Sequence, residues 1–487
     1  MHSALSLEPF AFCITAFRMK DLTNISRVYF IGIGGIGMSA IARYFLSKNV
    51  VVSGYDKTPT TLSRQLESEG MHIHYEDNVD IADKNADLVV YTPAIPKDHK
   101  ELNFYKNNHY ELVKRSDVLE QITKSSFNIC IAGTHGKTTI STMVAYILRK
   151  TDYGCNAFLG GISVNYHTNF WSSNHNVSVV EADEYDRSFL KLSPDIAVIT
   201  AMDADHLDIY GTKENMEDAF VKFANKLKPG GLLLTRYGLP EKDFSASKHI
   251  RYSLQNDAAD VYAQNIVMRN GGYEFDVVGK DWKIENVKLH MGGMHNVENA
   301  IVAIYIAVYS EIIPLKIINA IGTFKGVKRR FEYIIGPLEA LKNKYNVVYI
   351  DDYAHHPAEL NALIRGAKSL FRFKTCTVIF QPHLFSRTKD FAKEFAESLD
   401  LADRILILPI YPARELPVEG VTSELILKEM KNKNATVISK EGLLEYLRGD
   451  YLKSVQESSN GEVLITAGAG DIDKLIQPIK ETLENTN

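Results

Sequence analysis

The sequence predicts an α/β protein built from three domains with mostly parallel sheets. Apolar runs rich in β-branched residues alternate with segments of helical periodicity along the whole chain. The chain has 487 residues, which is enough for about three domains. We therefore expect domains at residues 20–120, 121–325 and 326–487.

The first predicted domain has the repeated β-α-β order of a Rossmann-like unit. The strand RVYFI is followed by a glycine-rich turn, a helix near Met38 to Lys48, the strand VVVSGYD and later the strand in DLVVYTPAIP. Residues 1–19 lack the basic region and the cleavage site of a signal peptide. We expect these residues to be either a disordered extension or the product of a start codon assigned too early, with Met19 then the functional start.

The second and third predicted domains repeat this alternation. The second opens with the strand FNICIAG, the loop THGKT and the helix TISTMVAYILRK, continues with strands in NVSVVEAD, DIAVITAMD and GGLLLTR, and closes with a helix around NVENAIVAIYIAVYS. The third has the order NVVYIDD, PAELNALIRGAK, TCTVIF, KDFAKEFAESL, RILILPI and EVLITAG, with a last helix from Asp471. This order predicts a mostly parallel central sheet and a Rossmann-like C-terminal domain.

Composition excludes several classes of partner. A net charge of -5 gives no electrostatic basis for binding nucleic acid, and no apolar run reaches the length needed for membrane insertion. The four cysteines form no C-x-x-C pair, which favours buried free thiols in a reducing compartment over disulfides or zinc: Cys13, Cys130, Cys155 and Cys376. We therefore expect a cytoplasmic protein.

The stretch IGIGGIGMSA satisfies G-x-G-x-x-G directly after a strand, through Gly32, Gly34, Gly35 and Gly37. Such a turn places a diphosphate at the N-terminus of a helix. Asp56 ends the second strand, where an acidic residue can bind a ribose. Taken alone, this pattern fits an NAD-dependent oxidoreductase as well as other nucleotide-binding proteins.

A second glycine-rich loop, GTHGKTT, lies between a strand and a helix. It matches a shortened phosphate loop, because Ile131 stands where the full pattern has its first glycine. Backbone N–H groups and the helix N-terminus can bind phosphates there, while Lys137 reaches the β and γ phosphates and Thr138 ligates Mg²⁺. The loop predicts a central P-loop-type ATPase domain whose ATP-binding residues are Gly133, Thr134, His135, Gly136, Lys137, Thr138 and Thr139.

Acidic side chains follow two other strands of the same predicted sheet. Carboxyl ends of parallel strands lie beside the phosphate loop, where hard oxygen ligands could hold Mg²⁺. Acid-rich surface loops would look alike, so each run is weak alone. The candidate ligands are Glu181, Asp183, Glu184, Asp203, Asp205, His206 and Asp208.

Two further clusters have alternative interpretations. In GMHNVENA, His295, Asn296 and Asn299 open a helix, where asparagine is most often only a cap. In GVKRRFE, Arg329 and Arg330 are adjacent, which usually indicates solvated side chains. Beside a triphosphate, however, such arginines could neutralise developing charge.

The segment VYIDDYAHHPAEL places Asp351 and Asp352 at the end of a strand, with Tyr353, His355 and His356 just beyond. A zinc site would need more His or Cys at standard spacing. Orientation of an amine, or of a transferring phosphoryl group, fits this cluster better.

Taken together, these motifs resemble the Mur ligases, the ATP-dependent amide ligases of peptidoglycan synthesis. The resemblance extends from Arg27 to Lys474 and rests on GIGGIGMSAIA, AGTHGKTT, EADEYDRSFL, ADHLDIYG, MHNVENA, GVKRRFE, DDYAHHPAE, FQPHLFSRTKD, YPARE and TAGAGDI, in that order. It is closest to the branch that joins L-alanine to the lactyl carboxylate of UDP-N-acetylmuramate through an acyl phosphate, releasing ADP and phosphate. That resemblance implies ATP as co-substrate, Mg²⁺, and a monomer or weak homodimer.

The resemblance also implies roles for particular residues. It adds four ATP-binding residues to the phosphate loop: Asn296, Asn299, Arg330 and Asp352. The metal ligands would be Thr138, Glu181 and His206. The catalytic residues would be Lys137, His206, Arg330, His355 and Arg387. The UDP-sugar site would comprise Gly32, Gly34, Gly35, Gly37, Asp56 and Arg115.

Two departures from the family pattern concern cations. Leu384 stands where the family often has arginine, which leaves Arg387 as the clear cation, with Lys389 or Arg414 as substitutes. Several sibling ligases carry a carbamylated lysine between their metals, and none is assigned here.

Three alternative functions remain open at this point. An oxidoreductase would not need GTHGKTT. A sister ligase that attaches a pre-formed tripeptide to the same sugar nucleotide is closer, although YPARE and PHLFSRT favour L-alanine; cyanophycin- and folate-type ligases share the central domain, and the folate type lacks the glycine-rich first domain. A non-catalytic binding protein would not need Lys137, Glu181 and His206.

Overall fold

The computed structural model describes residues 22–203, 207–240, 244–413, 415–458 and 460–484. All structural statements below refer to these residues. The chain divides into two compact units between Gln121 and Ile122, and each unit is described by itself.

The N-terminal unit is built on a parallel sheet of five described strands in the order β3-β2-β1-β4-β5. The strands are β1 (Arg27–Ile31), β2 (Val51–Tyr55), β3 (His72–His74), β4 (Leu88–Tyr91) and β5 (Leu112–Lys114). The helices are a 3₁₀ turn (Leu22–Asn24), α1 (Ile36–Ser47), α2 (Thr61–Ser68), α3 (Lys100–Asn107) and α4 (Arg115–Ser125). This is the predicted Rossmann-like arrangement, with a glycine-rich turn between β1 and α1.

The second unit contains a sheet of ten described strands in the order β15-β14-β13-β12-β11-β10-β6-β9-β7-β8. These strands are β6 (Phe127–Ala132), β7 (Asn156–Phe158), β8 (Phe170–Trp171), β9 (Val177–Glu181), β10 (Ile196–Ile199), β11 (Leu232–Arg236), β12 (Lys248–Ser253), β13 (Val261–Arg269), β14 (Gly272–Gly279) and β15 (Lys283–Leu289). Its helices are α5 (Lys137–Lys150), a 3₁₀ turn (Ser188–Lys191), α6 (Leu207–Tyr210), α7 (Lys213–Ala224), α8 (Met294–Tyr309) and α9 (Pro314–Thr323).

A further sheet of the second unit has six described strands in the order β16-β17-β21-β18-β19-β20. These are β16 (Glu332–Ile335), β17 (Val347–Asp352), β18 (Thr375–Phe380), β19 (Arg404–Ile407), β20 (Ala435–Val437) and β21 (Glu462–Ala467). Its helices are α10 (Pro337–Ala340), α11 (Pro357–Leu370), α12 (Phe385–Asp390), α13 (Ala392–Leu399), α14 (Glu424–Glu429), α15 (Lys440–Tyr446), a π turn (Leu447–Tyr451), α16 (Leu452–Glu457), a 3₁₀ turn (Asp471–Leu475) and α17 (Ile476–Glu484). Among these strands, only β16 pairs antiparallel, with β17.

The three-domain α/β class with mostly parallel sheets is confirmed, and two details differ from the prediction. The central sheet continues into an antiparallel extension, β13 to β15, in which the outer strands β13 and β15 mix buried and exposed residues whereas β14 is mostly buried. The predicted helix in KDFAKEFAESL is two helices, since the backbone leaves helical geometry at Phe391 (φ -120°, ψ 21°).

The described cysteines are free thiols, as the sequence predicts. Cys130, Cys155 and Cys376 are buried, and burial raises the pKa of Cys155 and of Cys376 to about 12. Cys13 lies outside the described residues. In the described part of the chain, no helix is long and apolar enough to cross a membrane.

Candidate active site

The phosphate loop joins β6 to α5 at the carboxyl edge of the central sheet. Gly133 (φ +122°) and Gly136 (φ +81°) hold left-handed conformations that favour glycine. A Cβ on Gly133 would lie 2.8 Å from the backbone nitrogens of Thr200 and Ala201, and Thr200 Oγ1 donates to His135 O. The loop is therefore closely packed against the end of β10, with the first turn of α5 free to offer its N–H groups to an anion.

Lys137 begins α5 and lies inside this loop. Its Nζ donates to Gly133 O at 2.7 Å and to Glu184 Oε1 at 2.8 Å. Glu184 follows β9, which pairs with β6, so the topology brings the acid beside the loop. Burial raises the pKa of Glu184, while the charge and hydrogen bond of Lys137 act in the opposite direction.

Thr138 and Glu181, two of the three predicted metal ligands, are in direct contact. Thr138 Oγ1 donates to Glu181 Oε1 at 2.9 Å, and Gly160 N donates to Glu181 Oε2 at 2.9 Å. A hydroxyl and a carboxylate at the end of a strand form a hard-oxygen set that fits Mg²⁺. His206, the third, lies outside the described residues, and within the described ones no group of three or more His, Cys, Asp or Glu side chains is placed to hold a metal.

Asn296 and Asn299 lie in the first turns of α8, close to the same loop. Gly293 is the N-cap of this helix, so neither asparagine caps it. Asn296 Nδ2 donates to Gly292 O at 2.7 Å, and Asn299 Nδ2 donates to Asn296 Oδ1 at 3.0 Å. Because a Cβ on Gly136 would lie 2.9 Å from Asn299 Oδ1, the pair borders the phosphate loop.

The adjacent arginines point to different domains. Arg330 Nη2 donates to Thr138 Oγ1 at 3.3 Å, so its guanidinium reaches the phosphate loop. Arg329 instead binds Asp351 through Nε at 3.0 Å and Gly468 O through Nη2 at 2.6 Å. Only Arg330 of this pair is therefore placed beside the predicted triphosphate site.

Asp352 is the last residue of β17, and its side chain contacts the turn that carries Arg330. Its Oδ2 accepts from Phe331 N at 2.7 Å, and its Oδ1 accepts from Ala354 N at 2.7 Å. Burial raises the pKa of Asp352 to about 6, although these two hydrogen bonds favour the carboxylate. In this structure the side chain fixes the turn that aims Arg330, and its predicted contact with ATP stays a prediction.

A separate cluster surrounds His355 at the carboxyl ends of β17, β18 and β19. His355 Nδ1 lies 2.9 Å from Tyr353 O, and its ring lies 6.1 Å from that of His383. His383 stacks on Tyr411 at 5.9 Å. Burial lowers the pKa of His383, and the positive charge of Arg387 adds to this effect. One guanidinium nitrogen of Arg387, Nη1, is buried without a hydrogen bond among the described residues.

The residues predicted to bind UDP lie close together in the N-terminal unit. Gly32 (φ +90°) turns the chain after β1, and its N–H donates to Tyr55 O at 2.8 Å. Asp56 Oδ2 accepts from Gly34 N at 2.8 Å. A Cβ on Gly37 would lie 3.1 Å from Arg115 Cζ, so the guanidinium covers the start of α1. The glycine turn, Asp56 and Arg115 therefore lie together.

The structure places the remaining predicted residues as follows. Gly35 is the N-cap of α1, Thr139 is buried in the first turn of α5, and the His135 side chain is largely exposed. His206 and Arg414 lie outside the described residues.

Sequence reasoning missed three contributors to the site. Gly160 donates to Glu181, Thr200 closes the phosphate loop, and His383 packs beside His355. Thr200 directly follows β10 and His383 lies three residues beyond the end of β18, so the rule that strand ends carry function could have found them. Gly160 lies in no pattern that would have singled it out.

Three domain families match the chain along its length. The Mur ligase family catalytic domain matches residues 27–127, the Mur ligase middle domain residues 131–307, and the Mur ligase glutamate ligase domain residues 329–470. These ranges contain the diphosphate turn, the phosphate loop and the His355 cluster, respectively. The chain belongs to the Mur ligase family.

The relatives and the solved structure to which the chain is similar carry the name of one type of enzyme. The UDP-N-acetylmuramate--L-alanine ligase of Cytophaga hutchinsonii is 48% identical over 94% of this chain and 97% of that protein. The enzyme of the same name from Porphyromonas gingivalis is 45% identical over 94% and 99%. The crystal structure of the UDP-N-acetylmuramate-alanine ligase of Thermotoga maritima superposes with a TM-score of 0.77 at 28% identity, covering 93% of this chain and 98% of that one.

Proposed function

We propose that this chain joins L-alanine to the lactyl carboxylate of UDP-N-acetylmuramate, using ATP and releasing ADP and phosphate, in peptidoglycan precursor synthesis. The observation that carries the proposal is the meeting of Lys137, Thr138 and Arg330 at one phosphate loop. Curated relatives at 42–48% identity are named for this reaction.

The phosphate loop suits the first half of the reaction, in which a carboxylate attacks the γ-phosphate of ATP. Two anions must approach each other, so the site has to supply positive charge. The N-terminus of α5, Lys137 and Arg330 supply it from three directions. Arg330 comes from the segment between the two sheets of the second unit and reaches the loop through its contact with Thr138.

Mg²⁺ would be held by Thr138 and Glu181, with His206 as a further ligand. When bound, the ion would neutralise phosphate charge and orient the γ-phosphoryl group. Glu181 keeps its direction because Gly160 N binds the second carboxylate oxygen.

The His355 cluster suits the second half, in which the amine of L-alanine attacks the acyl phosphate. A buried guanidinium nitrogen of Arg387 without a protein partner offers a hydrogen bond and charge to a carboxylate. Burial lowers the pKa of His383, which favours its neutral imidazole and so adds no second positive charge beside Arg387. Leu384 adds no charge, so Arg387 remains the principal cation there.

The N-terminal unit would hold the UDP moiety. The turn from Gly32 to Gly37 presents backbone N–H groups at the start of α1, and Arg115 adds a positive charge over the same turn. Asp56 accepts a hydrogen bond from this turn, which supports a role for its carboxylate near the uridine. This assignment uses the dinucleotide-type turn for a sugar nucleotide and leaves ATP to the second unit.

The test is phosphate release with ATP, Mg²⁺ and UDP-N-acetylmuramate, comparing L-alanine, glycine, L-serine and the tripeptide. We expect release to depend on both the sugar nucleotide and L-alanine. Turnover with the tripeptide but not with L-alanine would identify the sister ligase instead. Tight binding of NADH in a spectroscopic titration would favour the oxidoreductase.

Lys137→Ala tests the assignment of the ATP site. The expected loss of activity is at least ~100-fold, because the variant removes a charge directed at the transferring phosphoryl group. Circular dichroism should show an intact fold, and activity is compared per folded molecule, because the variant leaves the buried carboxylate of Glu184 without its ammonium partner and lowers the melting temperature. Wild-type rates in this variant would show that GTHGKTT is not the ATP site.

A further inference from the structure

Glu184 faces Lys137 across the phosphate loop. Its side chain is only 1% exposed, and its Oε1 accepts from Lys137 Nζ at 2.8 Å. The sequence places Glu184 among the candidate Mg²⁺ ligands because it follows β9. The structure instead makes it the only side-chain partner of the lysine that is seen in the described residues.

The hydrogen bonds of the Glu184 carboxylate differ from those of a buried carboxylate with a structural role. Asp351 uses both oxygens, one for Arg329 Nε at 3.0 Å and the other for Thr466 Oγ1 at 2.6 Å. The Oε2 atom of Glu184 is buried and has no hydrogen bond within the described structure. A buried carboxylate with one satisfied oxygen is poorly compensated, so stability alone does not account for it.

The backbone of Glu184 is held from two sides. Its carbonyl oxygen accepts from Tyr210 Oη at 2.6 Å and from Arg187 N at 3.0 Å. The guanidinium of Arg187 lies 4.9 Å from the ring of Tyr210, which fixes both side chains. The carboxylate is therefore a fixed point, whereas a lysine side chain has four rotatable bonds and needs an anchor.

We propose that Glu184 is a positioning residue, which holds the Lys137 ammonium at the phosphate loop so that it meets the γ-phosphate of ATP. The inference rests on the proposed function, because it assigns Glu184 to the phosphoryl-transfer half of that reaction. Glu184 acts through Lys137 and does not itself contact the substrate.

Two substitutions separate position from packing. Glu184→Ala removes the anchor, and we expect kcat to fall by ~10-fold or more, as misplacement of a catalytic group does. Glu184→Gln keeps an acceptor oxygen for the ammonium, and the remaining hydrogen bond to this charged donor should restore most of kcat. In both variants, the KM values for L-alanine and UDP-N-acetylmuramate should stay unchanged.

The matched control is Asp195→Asn, at the opposite end of the same sheet. Asp195 Oδ2 binds Lys228 Nζ at 2.8 Å and Asn128 N at 2.8 Å, so it is a lysine–carboxylate pair without a role in the site. We expect this variant to lower the melting temperature and to leave kcat per folded molecule unchanged. The proposal is overturned if Glu184→Ala keeps the wild-type kcat. It is also overturned if Glu184→Ala and Glu184→Gln lose activity equally and only in proportion to the amount of folded protein.

Nucleotide binding tests the same idea without turnover. With Mg²⁺ present, Glu184→Ala should weaken the binding of a non-hydrolysable ATP analogue several-fold. The binding of ADP should change little, because the anchored ammonium meets the γ-phosphate, which ADP lacks. In a Lys137→Met background, the same substitution should have no further effect. If the effects of the two substitutions on nucleotide affinity are additive, the role of Glu184 is overturned, even if the wild-type protein proves inactive in the ligase assay. If the wild-type protein is inactive but the effects are non-additive, only the proposed function is refuted.

Discussion

Replacing Glu101 by Gln should change how the stability of the N-terminal unit depends on pH. Glu101 lies in the first turn of α3 and its side chain has no exposed surface. Its Oε2 accepts from Tyr29 Oη at 2.5 Å and its Oε1 accepts from Asn78 N at 3.0 Å. Burial raises its pKa from 4.5 to about 7, although both hydrogen bonds favour the charged form.

The sign follows from comparing the folded and unfolded chains. The folded chain keeps the Glu101 proton up to about pH 7, whereas the unfolded chain loses it near 4.5. The stabilisation is complete below the unfolded pKa and is lost as pH rises through the folded one. The two pKa values differ by an amount that corresponds to about 3 kcal/mol.

Neighbouring histidines act in the opposite direction and have to be separated. Burial lowers the pKa of His74, whose Nε2 lies 3.6 Å from Glu101 Oε1, and also lowers that of His99. A histidine with a lowered pKa makes the fold more stable as pH rises toward its unfolded value. Both histidines are present in wild type and in Glu101→Gln, so the difference between the two proteins reports on the carboxyl group together with its contact with His74.

Gln imitates the protonated acid. We expect the free energy of unfolding of the variant, relative to wild type, to rise by about 2–3 kcal/mol between about pH 5 and about pH 8. Urea unfolding of the full chain, read by hydrogen exchange in peptides of β1 and β4, reports on this unit. Asp80→Asn, at a position where the side chain is 90% exposed, controls for the loss of a charge. A difference that stays constant with pH would refute the reasoning.

Two glycine substitutions test the substrate sites. A Cβ on Gly160 would lie 2.6 Å from Glu181 Oε1. Gly160→Ala should therefore raise the Mg²⁺ concentration needed for half-maximal phosphate release several-fold. An unchanged Mg²⁺ titration would argue against Glu181 as a metal ligand. A Cβ on Gly37 would displace the side chain of Arg115. Gly37→Ala should therefore raise the KM for UDP-N-acetylmuramate by about tenfold and leave the KM for ATP unchanged. Equal changes in both KM values would contradict the assignment of this turn to UDP.

Both glycine-rich turns were predictable because their chemistry is local. In each, a strand, a short glycine turn and a helix follow each other in the sequence, and the positive φ values at Gly32 and Gly133 are what such turns require. The contact between Thr138 and Glu181 also followed from a general rule, since β6 and β9 are parallel neighbours. The antiparallel extension was missed because its strands lack a continuous apolar run.

The partner of Lys137 could not be read from the sequence. The run EADEYD offers several carboxylates within a few residues, and all of them follow the same strand. Glu181 binds Thr138, whereas Glu184 turns to Lys137 because Tyr210 and Arg187 fix its backbone. Tyr210 lies 26 residues further along the chain. Which acid serves a metal and which anchors a cation thus depends on a distant contact.

The divergence of the two arginines has a similar cause. Arg329 (φ +61°) and Phe331 (φ +47°) both adopt left-handed conformations, which are costly for residues other than glycine. The cost is offset because Asp352 binds the N–H of Phe331 and Asp351 binds the side chain of Arg329. With the backbone turned on both sides of Arg330, its side chain leaves in the opposite direction and reaches Thr138. The acidic pair in YIDDY therefore determines which arginine of KRRFE faces the phosphate loop, and neither motif reveals this without the other.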